Sequence, residues 1–529
     1  MSSNNHYSQL TQESTDLVAQ LQTVHSDIAK LSDDTSGTIH VAGVGRKLYR
    51  AYEQLRNAAE YTEEHLLLRR AIERFLRRSL PFMARESQGD PLAQELIIEL
   101  TQAGYLPNDT VTYTIVHRLD HLIQNHAALF WELKRLRLHP DKAAKWVLEL
   151  VSVECERLLA PHFKDEVFAS FAYKHFLQTI DRQAFSDVKD ERLYGMSLFA
   201  AVHRTLLKSD IAIVRYWLVN TSGQQFQNPE VFVQLNKQVE EIFHSPATNR
   251  LSRLVRKYGA PMRILRGIVV SNFDATTTIH NPQQFAGLIE QQIEYEYQAA
   301  ATKLKRGVLR SIAFIFITKM IIGLGVEIPY DFIVHNGIVW VPLIINLLFP
   351  PLYMATIGWT IALPGANNST AIKQHLMKLL YQTDQPALYY TISRRVTGKG
   401  INTVFNFMYA LMFAISFGLL VLVLGALQFN VVQGAIFFVF LSTVSFLGFR
   451  LSQSVRELEM VDEAQSFINV ISDFIYTPFV RVGQWLADKY SKINIITFIL
   501  DIAIELPLKT VLRFIQQWVG FLKDKREEL

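Results

Sequence analysis

Two histidines and an aspartate fall within five residues at His117-Arg118-Leu119-Asp120-His121. The imidazoles are four positions apart, which puts them one turn apart on one helical face. That spacing suits a zinc ion. The order is that of the His-X-X-Glu-His zinc motif with Asp120 in the Glu position, and the shorter carboxylate would hold a water differently. Three protein ligands are the usual minimum for a catalytic zinc. No pattern in the chain supplies the third, and His126 is poorly placed for it. The competing expectation is a polar flank beside a buried apolar stripe. We therefore expect no cofactor and assign no catalytic residue.

Lys319 lies in the middle of an apolar run, where an ammonium costs about 3 kcal/mol on insertion scales. It needs a partner or water. Asn346, in a second apolar run that also carries Pro342, Pro350 and Pro351, is one candidate, and Glu327 and Asp331 are the others. Proline inside such a run frees backbone carbonyls. Two readings stay open, a polar site for an ion or substrate and a structural inter-helix hydrogen bond. Gly43-Val44-Gly45-Arg46-Lys47 lacks the spacer and the Lys-Ser/Thr ending of a phosphate loop, so it reads as a helix-entry turn. Arg69, Arg70, Arg74, Arg77 and Arg78 form a basic ridge with Glu63, Glu64 and Glu73 nearby. A solvated, self-compensated face is expected, with Glu73 to Arg77 a favourable four-residue pair.

The elements around these residues divide at a change of solvent near Arg310. Four long apolar runs follow, at about 308–326, 337–363, 404–429 and 431–449, each long enough for a hydrocarbon core that takes about 20 residues. Trp340 and Trp359 stand near the two ends of the second, as interfacial aromatics do. The Lys and Arg residues cluster at 303–310, at 373–399 and at Arg450 and Arg456, and the two opposite connections hold none. The positive-inside rule then places both chain termini on the cytoplasmic side, with four crossings. Residues 1–300 hold 33 Lys and Arg against 35 Asp and Glu, which argues against nucleic-acid binding. Residues 301–529 hold 20 against 14, an excess that suits the lipid bilayer and its anionic headgroups. Cys155 is the only cysteine, so neither an internal disulfide nor a cysteine-rich zinc site is available.

The expected fold class is all-α. Residues 1–45 read as a polar, partly disordered segment with one helical stripe at Leu17, Leu21, Val24, Ile28 and Leu31. Residues 46–306 read as a cytoplasmic all-α domain, 307–450 as a four-helix membrane domain with a cytoplasmic loop at 364–403, and 451–529 as amphipathic interfacial helices. Helix 109–138 should bury Val116, Leu119, Ile123, Phe130 and Leu133 behind an Asp109 or Thr110 cap. Pro140 and Pro282 should open two further helices, the second running through Lys305 into the first span. Residues 466–490 carry an apolar face of Phe467, Ile471, Phe474, Ile475, Phe479 and Trp485. Past them, Asp501, Glu505, Lys509 and Arg513 repeat every four residues on an otherwise apolar helix, a pattern for lying in the membrane interface, with a fifth span that would bury Asp501, Glu505 and Lys509 together as the rival reading.

Arg56-Asn57-Ala58, Glu63-Glu64-His65-Leu66, Arg481-Val482-Gly483, Phe498-Ile499-Leu500-Asp501 and Glu505-Leu506-Pro507 carry a resemblance to uncharacterised multi-pass membrane proteins of reduced-genome bacteria. It covers the stretches 49–78, 193–217 and 479–529 and implies a bacterial inner membrane but no activity. Three functional expectations follow. The first is a membrane-anchored interaction platform with a protein partner or a homo-oligomer. The second is a subunit of an oligomeric channel or transporter built around Lys319 and Asn346. The third is a membrane-surface metal-dependent hydrolase using His117, Asp120 and His121.

Overall fold

The computed structural model describes residues 9–32, 37–41, 46–60, 64–79, 92–137, 140–221, 228–271, 275–335, 337–382, 389–391, 399–461, 467–492 and 518. Helices dominate these residues, and the only strand-like pairings among them are the isolated bridges Leu10–Tyr381 and Thr38–Thr112. The chain separates into two compact units. Among the described residues, those within 12–255 form one, and 9–11 together with those within 256–492 form the other.

The first unit holds α1 (Gln12–Ser32), α2 (Arg46–Glu60), α3 (Leu67–Ser79), α4 (Leu92–Ala103), α5 (Tyr113–Arg135), α6 (Pro140–Leu159), α7 (Phe163–Thr179), α8 (Glu191–Val202), α9 (Ile211–Thr221), α10 (Pro229–His244) and most of α11 (Pro246–Lys257). The stripe of α1 docks on α7 through Leu17 and Leu21, both buried. α6 lies at the centre, packed against α3, α5 and α9, and its Trp146, Val147, Leu150 and Val151 are fully buried. The α5 stripe is seen as expected at Val116, Leu119, Ile123 and Leu133, with Phe130 half-buried. Its cap is not. α5 begins after Thr112, because the residues ahead of it are used elsewhere: Ile39 N donates to Val111 O at 3.0 Å and Tyr113 N to Gly37 O at 3.1 Å.

The second unit holds α12 (Ala260–Ser271), α13 (Ala275–Thr278), α14 (Pro282–Ile322), α15 (Ile328–His335), α16 (Trp340–Thr360), α17 (Ala366–Leu380), α18 (Lys399–Ala426), α19 (Val431–Arg456) and α20 (Phe467–Lys492). α14 is one helix of 41 residues. The Asn281 side chain caps it, accepting from Gln283 N and Gln284 N at 3.1 and 3.2 Å, and Pro282 occupies the first turn, where its missing N–H costs nothing. α14 packs on α12 and α17 near its start and on α16 and α19 farther along. Four helical stretches are long and apolar enough to cross a membrane: 282–334, 340–360, 403–426 and 431–456. Their outward surface is apolar, as a lipid-facing surface must be: Leu309, Ile317, Ile321, Val421 and Leu422 are all exposed. The connection at 364–403 contains the helix α17, which buries Ile372, Leu376 and Leu380. Asn368 at its start, within two N-glycosylation-like triplets, is buried and holds the chain after α19 by accepting from Met460 N and Val461 N.

Candidate functional site

The charged residue that should not sit in an apolar helix has found its partner. Lys319 and Glu327 are both fully buried, and Nζ lies 2.6 Å from Oε1. Residues eight apart on a regular α-helix point about 80° away from each other. Between them Gly323–Glu327 forms a π-helical turn. A π turn inserts one residue into the helical register. Lys319 and Glu327 then relate much as residues seven apart do, on one face. The turn is open on its outer side, where a Cβ at Gly323 or Gly325 would meet nothing within 4 Å. The ammonium also lies 4.7 Å from the centre of the Phe440 ring, which attracts it through the ring's negative face.

Asp331, one turn further on, is fully buried. Gln433 Nε2 donates to both of its oxygens at 3.0 Å, Asn430 Nδ2 to one at 3.3 Å, and Val339 N to the other at 3.3 Å. α19 supplies these donors through its own cap. Asn430 Oδ1 accepts from Gln433 N at 2.8 Å, and Gln433 Oε1 accepts from Asn430 N at 3.3 Å. This reciprocal box occupies the glutamine's oxygen and leaves its amide N–H groups for Asp331. Asn346 Nδ2 donates to Gln433 O at 3.2 Å. Pro350 lacks the N–H that would bond the main-chain oxygen four residues earlier, that of Asn346.

The arrangement brings Lys319, Glu327, Asp331 and Asn346 into one bundle interior, as their residue types suggested. Of the three candidate partners for Lys319, Glu327 is the one it meets, whereas Asn346 and Asp331 meet on Gln433. Gln433 and Asn430 were missed at the sequence level, and the N-cap Asn followed three residues later by Gln was the available signal. Two acceptors of this cluster have no hydrogen-bond partner among the described residues, Glu327 Oε2 and Asn346 Oδ1. Toward the Arg456 end of the bundle, Ile315, Met354 and Val444 close the interior with a dry layer. Beside that layer Tyr353 Oη and Ser445 Oγ are 3.2 Å apart, and Tyr476 Oη donates to Ser445 O at 2.5 Å.

The other sequence candidates lie elsewhere. His117 and His121 are exposed, while Asp120 accepts from Ala93 N at 3.0 Å and so caps the start of α4. No group of three His, Cys, Asp or Glu suited to a metal occurs among the described residues. Asp501, Glu505, Lys509 and Arg513, and Gly43 to Gly45, lie outside the described residues. The basic ridge is not the solvated face its sequence suggests. Arg69 is fully buried, bonded to Glu73 at 2.9 Å, to Ser152 Oγ at 3.2 Å and to Asp210. Arg74 meets Glu53 at 2.8 Å and Arg78 meets Glu99 at 2.6 Å, while the expected Arg77–Glu73 pair forms at 2.5 Å. Arg215, also fully buried, bonds Glu149 at 2.8 Å and Asn236 Oδ1 at 2.9 Å. Burial pushes Glu156 up to about 7, against the nearby Arg69 and helped by Asp210. Burial likewise raises Glu149 in spite of Arg215 and Lys145.

No family model matches the chain, and no curated protein and no solved structure matches it either.

Proposed function

We propose that this is a multi-pass transport subunit of a cell inner membrane, handling protons or a small cation at the Lys319–Glu327–Asp331 cluster. One observation carries the reading. Glu327 is fully buried, one carboxyl oxygen is on Lys319, and the other has no donor among the described residues. Two carboxyls share the cluster with one ammonium, so its unmet need is for positive charge. Ionisable groups at membrane depth are expensive and mark ion pathways. Four candidate spans are few for a pathway within one chain, so the subunit works as a homo-oligomer. The positive-inside pattern supports an N-terminus and a 364–403 connection on the cytoplasmic side. Lys303, Lys305, Arg306 and Arg310 are exposed on α14 at that end of the first span, where anionic headgroups would meet them.

The test is flux into liposomes that hold a pH-sensitive dye, with a potassium-driven potential of either sign. Wild type should acidify or alkalinise the lumen, and Glu327→Gln and Lys319→Leu should each abolish that. Flux no greater than in empty liposomes, or flux untouched by Glu327→Gln, removes the proposal. A second reading, a membrane-anchored interaction platform, draws on the separate core of the 12–255 helices. Cross-linking in native membranes that captures no reproducible protein partner counts against it.

A further inference from the structure

We propose that α20 crosses the bilayer as a fifth membrane helix, antiparallel to α19, rather than lying on the membrane surface. Its contacts with α19 run in reverse order. Tyr476 meets Ser445 and Gly448, and Gly483, seven residues on, meets Ser442. Ser442, Ser445 and Gly448 belong to the fourth candidate span, so α20 shares its depth. The approach is backbone to backbone. A Cβ built on Gly483 would stand 2.1 Å from Ser442 O and 2.6 Å from Phe446 Cβ. Small residues at such crossings are how membrane helices pack closely. The far side of the contact is occupied as well. The Phe479 ring lies 5.5 Å from Phe417 of α18 and 6.1 Å from Phe438 of α19. α18 packs chiefly on α20, so an α20 lying flat at the surface would leave the third span without its main neighbour.

Length agrees. α20 has 26 residues, as α19 does, and at 1.5 Å per residue each covers roughly 39 Å, against a hydrocarbon core of about 30 Å. Charge is the reason the helix does not read as a span. Arg481, Gln484, Asp488 and Lys489 all fall on its exposed face, opposite Phe479, Val480 and Gly483. Asp488 and Lys489 are near the end, at headgroup level. Arg481 is the costly one, and its long stem lets the guanidinium reach toward the headgroups. The consequence is topological: Lys489 emerges on the side where α18 turns into α19, not on the side where α19 ends.

Single-cysteine labelling with a membrane-impermeant maleimide decides this in intact and permeabilised cells. The native Cys155 is fully buried, so the parent protein serves as the unlabelled control. Val431→Cys marks the α18–α19 turn and Glu459→Cys marks the end of α19; both positions are exposed. Lys489→Cys should label in the same preparation as Val431→Cys and oppositely to Glu459→Cys, whichever way the bundle faces. Labelling of Lys489→Cys that follows Glu459→Cys, or its absence in both preparations, overturns the proposal. Because the comparison is relative, neither the flux result nor the orientation rule bears on it.

Discussion

Removing Lys319 should cost far more than removing Lys319 and Glu327 together. Both side chains are excluded from solvent, at 1% and 0% exposure, and lie 2.6 Å apart. Lys319→Met leaves a carboxylate in the bundle with no cation, a change that costs about 3–5 kcal/mol at buried pairs. Loss of the Phe440 contact adds roughly 0.5–1 kcal/mol. Glu327→Gln leaves the ammonium facing a neutral amide and should cost about 3 kcal/mol by the same argument. In the double variant neither charge remains, and paired replacement of a buried ion pair is often close to neutral. On these figures the double-mutant cycle should return a coupling energy of about 6–8 kcal/mol. The assay is unfolding in mixed micelles by denaturing detergent, followed by tryptophan fluorescence. Singles whose costs add to the double within about 0.5 kcal/mol would refute the pairing. A double variant that folds like wild type but carries no flux separates the role of the charges in transport from their role in stability.

Glu156 gives a pH prediction. Its folded value, about 7, lies above the 4.5 of an ordinary glutamate, so between those pH values the folded state holds a proton that the unfolded state has lost. Stability from this group is complete below about 4.5 and is lost as pH rises through 7, by at most about 3 kcal/mol at 1.36 kcal/mol per unit. Melting curves of wild type and Glu156→Gln between pH 5 and 8 should differ in slope, the variant being flatter; parallel curves would exclude the proton. Gly483→Leu puts atoms where Ser442 O already stands, and overpacking of this kind costs about 1–3 kcal/mol; an unshifted melting temperature would mean that α20 and α19 do not touch there. Arg215→Met strands Glu149 in the core and should destabilise by about 3–5 kcal/mol, with Arg215→Met/Glu149→Gln much milder by the same measurement.

Much of the membrane architecture was legible because hydrophobicity acts over long runs. A segment such as 431–449 declares its environment without reference to any other part of the chain. Asn281-Pro282 and Pro140 were legible for the opposite reason, since a cap and a first-turn proline act within three residues. Lys319 stood out because a charge in such a run demands an explanation. Its partner was harder to choose. A regular helical period excludes a residue eight positions on, and only the π turn at Gly323–Glu327 brings Glu327 round. The Arg69 ridge misled because its burial depends on Asp210, 141 residues away, and on the packing of α3 against α6. Local charge balance predicted solvent there, and non-local carboxylates provided a core. α20 was hidden by averaging: its described charges, Arg481, Asp488 and Lys489, lie on one face, and a mean over the helix cannot separate that face from the one that packs.

Glu156 and Glu327 pose the same physical problem in different solvents. Each is a buried carboxyl beside a cation, and each keeps one oxygen without a hydrogen-bond partner among the described residues, Oε1 in Glu156 and Oε2 in Glu327. In the 12–255 helices the problem is met by a proton held up to near neutral pH, at a cost that a large apolar core absorbs. At membrane depth unmatched charge is dearer, because no water lies within reach to share it. A bundle selected for stability alone would do better with Met and Gln at these two positions, since an apolar or neutral pair of similar volume often equals or exceeds a buried ion pair. That Lys319 and Glu327 stand there instead, on a helix whose register must be broken to bring them together, is the physical case for a charge that the protein uses.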